Sequence, residues 1–279
     1  MQLKADLHLH TYFSDGYLSP SAILLKAKAK GLNIISITDH DTLAGYLEAS
    51  SIADSHRITL IPGIELSSDF NGIEVHILGY FIDHTSGALN SYLEDFVAER
   101  NIRTNKIIQK LNDNGIDLTL DEVLAEAKFS HVIGRPHIAR ALIRKKVASN
   151  FKDVFNKYLG NHSIAFEKKF FITPAKAAEI IKDAGGISVL AHPGNYKKEL
   201  LVELLEHGIN GIEVFHPSHS ISDINFLFRT ANEKGLLITG GSDYHGGNSK
   251  DEVNFGKYYL HQNNITPILE YYPNFSPHI

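Results

Sequence analysis

Lys4-Ala5-Asp6-Leu7-His8-Leu9-His10 is an alternating run that ends in two histidines. Side chains of an extended chain alternate faces, so Asp6, His8 and His10 are expected on one face and Leu7 and Leu9 on the other. Two imidazoles at successive same-face positions can grip one cation, with Asp6 orienting one ring from behind. By itself, His-x-His reads better as a strand carrying two exposed histidines. The rest of the chain reverses that reading. Polar islands of the same kind recur at Ser14-Asp15-Gly16, Thr38-Asp39-His40-Asp41, Gly63-Ile64-Glu65, Glu74-Val75-His76, Ala191-His192-Pro193-Gly194 and Ser242-Asp243-Tyr244-His245-Gly246. Most follow a short apolar run. Histidine plus carboxylate, repeated at strand ends, is what a hydrolytic metal cluster requires.

The apolar runs define the strands. Asn33–Thr38 reads as a short buried strand with Asp39-His40-Asp41 at its C-terminal edge. Ile58–Ile61 leads through Pro62-Gly63 to Glu65, and Ile73–Phe81 places Glu74 and His76 on one face. Gly186–Leu190, Gly211–Phe215 and Leu236–Thr239 each run into a polar island, the second ending at His216-Pro217. Between them lie helix-period segments, Pro20–Lys30, Thr42–Ser55, Pro174–Ala184, Lys198–His207 and Ser222–Lys234. Several start at Ser, Thr or Asp near a Pro and stop before Gly, as helix caps do.

Alternating strands and helices predict a parallel sheet covered by helices. Polar residues gathered after strand C-terminal ends match the active-site face of a β/α barrel. About seven strand signals favour a closed or distorted barrel over an open doubly wound sheet. No Gly-x-Gly-x-x-Gly follows the first strand, so a dinucleotide fold has no support.

From about Tyr92 to Phe166 the strand signals vanish, and Leu93–Asn112, Leu120–Ala127, His137–Lys146 and Asn150–Leu159 carry helical periods. This predicts a helical insertion, residues 92–166, between barrel portions 1–91 and 167–279. Within it, Gly134-Arg135-Pro136-His137 opens a helix, where an oxyanion can sit at the N-terminus. Arg135 offers a planar fork to phosphate and His137 another donor; helix-start residues plus a surface cation fit the pattern equally well. Lys168 or Lys169 could meet a second phosphate, although paired lysines are also ordinary solvated surface. His216 ends a strand and suits either a pocket-facing or a structural role. Asp39 and Asp41 flank His40 and are expected to orient it rather than to ligate. His219 has a lower claim, and His56, His84, His131, His162, His207, His261 and His278 read as surface or core residues.

These motifs, Asp6–Thr11 with Ser14–Gly16, Ile37–Asp41, Pro62–Glu65, Glu74–Tyr80, Ala191–Gly194 and Gly241–Gly246, together resemble the successive motifs of the PHP (polymerase and histidinol phosphatase) superfamily, in order along nearly the whole chain. The resemblance implies a distorted seven-stranded β/α barrel holding three divalent metal ions. It implies that His8, His10, Glu65 and Asp243 hold one metal. Glu65 would bridge to a second, held with His76 and His192, while Asp15, His40 and His245 hold the third. All nine expected ligand positions carry a competent side chain. Gly134-Arg135-Pro136-His137 followed by Phe155-Asn156-Lys157-Tyr158-Leu159 is similar to the insertion of superfamily members acting on nucleoside 3′,5′-bisphosphates and short RNA ends. In that subgroup the insertion caps the metal site and contacts substrate phosphate, which makes Arg135 and His137 the expected substrate-binding residues.

Nitrogen and oxygen ligands without thiolate suit Zn, Mn or Fe, and affinity order alone does not choose among them. The expected chemistry is in-line attack of a metal-bridging hydroxide on a phosphate ester, with Glu65, Asp243 and His192 acting through that hydroxide and no covalent phospho-enzyme. A histidinol-phosphate phosphatase and a noncatalytic metal-binding scaffold are the alternatives. The insertion weighs against the first, and the undegraded ligand positions weigh against the second.

Composition agrees. With 279 residues and 43% hydrophobic content, the chain can bury one large core and a small accessory one. A net charge of −5 argues against tight binding to long duplex nucleic acid, which needs many cationic contacts. Arg135, Arg140, Arg144, Lys145 and Lys146 form a local basic concentration suited to a dinucleotide or an RNA end. No apolar stretch approaches the roughly 18 residues of a membrane span, no signal-peptide pattern opens the chain, and cysteine is absent. A cytoplasmic, soluble enzyme with a small phosphorylated substrate is expected.

Overall fold

The computed structural model describes residues 2–127, 133–270 and 272; His131 and His278 lie outside them. Its contacts divide the chain into two compact units, residues 1–90 with 171–279, and residues 91–170.

The larger unit is built on one sheet. Its strands are β1 (Lys4–Leu9), β2 (Ile34–Ile37), β3 (Thr59–Phe70), β4 (Ile73–Tyr80), β5 (Ile187–Leu190), β6 (Gly211–Phe215), β7 (Leu237–Gly240) and β8 (Leu260–His261). They are ordered β7-β6-β5-β4-β3-β2-β1-β8. Leu9 bridges Tyr244, and Tyr244 O accepts the His10 backbone N–H at 3.0 Å, so the end of the first strand meets the segment after β7. The result is a nearly closed, distorted β/α barrel. It has one strand more than the expected seven, because Leu260 and His261 join β1 antiparallel.

Two local features depart from simple parallel alternation. First, β4 runs antiparallel to both β3 and β5. The cause is the two-residue turn Asn71-Gly72, with φ of 55° and 85°, a pairing that closes a hairpin and leaves no length for a crossover helix. Because β4 is reversed, its first half, with His76, stands at the end of the sheet where the parallel strands finish. Second, β1 bulges between Asp6 and Leu9 against β2. A bulge sets two residues against one and re-aims the side chains that follow. Leu7 therefore packs with Ile34, Ile61, Leu78 and Val189, whereas Leu9 packs with Ile23, Leu24, Ile35 and Ile37 in a different core. The simple expectation that Leu7 and Leu9 share a face is thereby corrected.

The second of these cores lies under the helix Pro20–Ala29. Ser19 Oγ accepts the Ala22 N–H at 3.2 Å and Pro20 occupies the first turn, which fixes where the helix starts. Ile23, Leu24 and Ala27 are buried on one face, each large aliphatic contributing about 1.5–3 kcal/mol. The smaller unit contains the helices Leu120–Ala127, Arg135–Arg144 and Phe151–Val154, followed by a wide π turn, Phe155–Leu159. It has its own core of Ile107, Leu111, Val123, Ile138, Leu142, Val154 and Leu159. No helix among the described residues is long and apolar enough to cross a membrane.

Barrel closure needs one glycine. A β-carbon on Gly241 would stand 2.5 Å from both the Cβ and the backbone N of His8, neither of which can move independently of β1. Gly241→Ala is expected to destabilise the fold by about 1–3 kcal/mol, read as a lower denaturation midpoint. An unchanged midpoint would contradict the close approach.

Candidate metal centre

Glu65 is buried within β3, where the preceding Pro62-Gly63 and the bridge between His40 and Glu65 bring three strand segments together. Its Oε2 lies 3.2 Å from His8 Nε2, 3.2 Å from His10 Nε2 and 3.3 Å from His40 Nδ1. Its Oε1 lies 3.1 Å from His76 Nδ1 and 3.3 Å from His192 Nε2. Asp243 Oδ1 faces the same two β1 rings, 3.3 Å from His8 Nε2 and 3.2 Å from His10 Nε2. On the other side of His10, Asp15 lies 3.2 Å from His245 Nε2, 3.7 Å from His10 Nδ1 and 3.9 Å from His40 Nε2. The structure thus brings His8, His10, Asp15, His40, Glu65, His76, His192, Asp243 and His245 into one continuous cluster.

The donor arrangement fits cations. Among the described residues, His10 Nδ1 and Nε2 and His40 Nδ1 are buried without a hydrogen-bond partner. Leaving such atoms unsatisfied costs about 1–3 kcal/mol each. A shared cation would satisfy them. The triangle of Glu65 Oε1, His76 Nδ1 and His192 Nε2 has edges of 3.1, 3.3 and 3.3 Å. Donors around a tetrahedral cation with bonds of about 2.0–2.1 Å stand about 3.3 Å apart, so these atoms need little movement. Further groups whose donor atoms converge are His10, Asp15, His40 and His245, and His8, His10 and Asp243.

Without a metal the cluster is strongly polarised. Burial would raise the carboxyls of Glu65 and Asp243, but the surrounding imidazoles hold both well below the usual range. Burial would lower the rings of His10 and His76, yet the facing carboxylates push them up to about 10 and about 9. His40 goes the other way, to about 3, because burial and the neighbouring His10 and His76 outweigh Glu65 and Asp15. Burial lifts Asp6 to about 7.

Behind the cluster, each carboxylate has a distinct task. Asp6 accepts from the backbone N–H groups of His8 (3.3 Å) and Ser242 (2.9 Å), so it addresses the strand and loop rather than a ring. Asp39 accepts from Thr11 N, Thr11 Oγ1 and Ser14 Oγ at 2.6–2.7 Å, fixing the loop between His10 and Asp15. Asp41 accepts from Ser67 N and Ser67 Oγ, clamping β3 just past Glu65. His216 Nε2 lies 3.2 Å from Asp243 Oδ2, with Nδ1 against Ser218 Oγ at 2.7 Å. The carboxylate at the other nitrogen of the His8 ring, Nδ1, is Glu213 at 2.9 Å, a residue without a motif of its own in the sequence. Its one signal is a charge inside the otherwise apolar strand Gly-Ile-Glu-Val-Phe.

Arg135 and His137 belong to the smaller unit. His137 is buried, and its Nδ1 accepts the Gly134 N–H at 3.0 Å, closing the start of the helix Arg135–Arg144. Arg135 Nη1 donates to Leu159 O at 3.2 Å, and its guanidinium lies over Phe155 at 5.6 Å. Lys168 is exposed and Lys169 half-buried.

Comparison with known proteins adds a family context. A model of the PHP domain matches residues 6–172. A 5′-3′ exoribonuclease from Haemophilus influenzae is 35% identical over 88% of this chain and 91% of its own length. A 3′,5′-nucleoside bisphosphate phosphatase from Chromobacterium violaceum is 31% identical over 86% of each chain. Among solved structures, a protein from Bifidobacterium adolescentis assigned as a metal-dependent phosphoesterase superposes with a TM-score of 0.82 at 30% identity, covering 95% of both chains.

The raised histidines make a linkage prediction. At pH 7 the metal-free His10 and His76 hold a proton, whereas a ligating imidazole must be neutral. Divalent-metal binding at pH 7 at these two ligands is therefore expected to release about two protons per chain, and affinity should rise with pH toward about 9 to 10. Calorimetric titration in buffers of different ionisation heat measures this directly; zero release would count against these ligands.

Proposed function

This chain belongs to the PHP domain family, and from that premise we propose that it is a metal-dependent phosphoesterase hydrolysing small nucleotides, namely nucleoside 3′,5′-bisphosphates and short 5′-phosphorylated oligoribonucleotides. The observation that carries this reading is the buried Glu65 carboxylate, faced by five histidines from four separate segments. The names of the relatives, an exoribonuclease and a nucleoside bisphosphate phosphatase, support the substrate class.

In this reading the cluster would take three cations. His8, His10, Glu65 and Asp243 would hold one; Glu65, His76 and His192 would hold the second; Asp15, His40 and His245 would hold the third. When bound, divalent ions supply Lewis acidity, activate water near neutral pH and offset phosphoryl charge. Zn, Mn and Fe all suit this donor set. The chain's own contribution is placement. Glu65 faces His8, His10 and His40 through Oε2 and His76 and His192 through Oε1, so it would join two sites; Asp243 is fixed by His216, and the Asp39 and Asp41 hydrogen bonds keep the ligand-bearing loops from drifting. Arg135 commits one of a guanidinium's five N–H donors to Leu159 O, and we assign it, with His137, to a substrate phosphate. Lys168 and Lys169 are further cations of the same unit suited to a second phosphate.

The deciding experiment is phosphate release by Mn²⁺-loaded protein from adenosine 3′,5′-bisphosphate, with histidinol phosphate and a short 5′-phosphorylated RNA in parallel. Turnover of the bisphosphate or the RNA is expected, and a preference for histidinol phosphate would overturn the substrate class. Glu65→Ala and Asp243→Ala should lower kcat by at least about 10³-fold while leaving the chain folded. Arg135→Ala should lower kcat/KM by roughly 10- to 100-fold, the scale of a charged hydrogen bond. Retained activity in the first pair would dismantle the proposed centre.

A further inference from the structure

Glu213 is fully buried in the middle of β6 and binds residues at the ends of two other strands. Its Oε1 stands 2.9 Å from His8 Nδ1, and its Oε2 accepts the backbone N–H of His192 at 2.8 Å. We infer that Glu213 is a positioning residue that sets the ligating tautomer of His8 and holds the backbone turn at His192, tying two cation sites together through one side chain. This rests on the proposed metal-dependent function.

The argument is one of donor and acceptor count. An ionised carboxylate only accepts, so Glu213 calls for a proton on His8 Nδ1; Nε2 faces carboxylates too, but a cation bound among them would take the place of its proton. In the neutral ring the lone pair then falls on Nε2, the nitrogen that faces Glu65 and Asp243. The second bond acts on a strained backbone. His192 has φ 32° and ψ 51°, a left-handed conformation unfavourable for a residue with a β-carbon, and it precedes Pro193. The same turn is supported from beyond β6 by His219, whose Nε2 accepts the Gly194 N–H at 3.1 Å while its Nδ1 donates to Val214 O at 2.8 Å. From this turn His192 Nε2 reaches Glu65 Oε1.

A glutamine at this position cannot do both jobs. With its amide oxygen toward His8, its NH₂ meets the His192 N–H, donor against donor. With the amide reversed, it donates to His8 Nδ1 and forces the proton onto Nε2, which then cannot ligate. Glu213→Gln is therefore expected to weaken zinc binding at one site by about 10- to 100-fold, the usual effect of removing such a partner, while the remaining sites keep their affinity.

The test is zinc titration of the unmodified chain and of Glu213→Gln, followed by calorimetry and by metal content after dialysis, with circular dichroism confirming the fold. Weaker binding at one site supports the inference, and identical isotherms overturn it. Because the variant could misfold, nitrogen-15 correlation spectra of the zinc-loaded unmodified chain provide a second reading. A proton on His8 Nδ1 with zinc on Nε2 supports the assignment; the reverse overturns it without any substitution. If the unmodified chain binds no zinc, Mn²⁺ or Fe²⁺ at all, the proposed function itself falls, an outcome distinct from a tautomer that is merely opposite.

Discussion

One buried carboxylate organises this molecule. Among the described residues Glu65 is faced by imidazoles rather than by a cation of fixed charge, and an ionised carboxylate in a low-dielectric interior is tolerated only when its partners are close and aligned. Those partners arrive from β1, β4, the loop after β2 and the turn after β5. Each must therefore end at the right height. The bulge in β1, the reversal of β4 and the left-handed residues His192 and Asp243 are the local adjustments that achieve this. They are departures from regular geometry, and they sit where strained geometry is found in working sites.

The supporting layer explains why the centre is not built from ligands alone. Asp39 and Asp41 flank His40 in sequence, yet their hydrogen bonds go to Thr11, Ser14 and Ser67. Each fixes backbone adjoining another ligand. The ligand loops are thereby fastened to one another rather than each to its own strand. A displacement at one loop is transmitted to the next, a property suited to a centre whose donor spacing must hold to a fraction of an ångström.

Much of this was legible from residues. The barrel followed from apolar runs that end in polar islands, because ligands at strand ends are separated in sequence by whole helices. What was not legible has definite causes. Glu213 lies inside the apolar strand Gly211–Phe215, where no turn marks it and the polar signal falls on His216 just beyond the strand's end. The direction of β4 depended on Asn71-Gly72, a strong hairpin signal that is easily passed over between two long strands. The bulge in β1 leaves no mark in an alternating pattern, since alternation persists in sequence after it has failed in space. The short strand Leu260–His261 is decided by its partner β1 rather than by its own two residues.

The closure of the barrel through Leu9 and Tyr244 has a consequence for how the chain is made. Contacts so distant in sequence close slowly, and a chain grows from its N-terminus at about 5–20 residues per second. His8 and His10 are therefore synthesised on the order of ten seconds or more before Asp243 and His245 exist to face them. During that interval the nascent chain acquires Asp15, His40, Glu65, His76 and His192 in turn, but not the last two donors. The donor set that spans the barrel closure is therefore complete only in the finished chain, when Asp243 and His245 come to face the two histidines of β1.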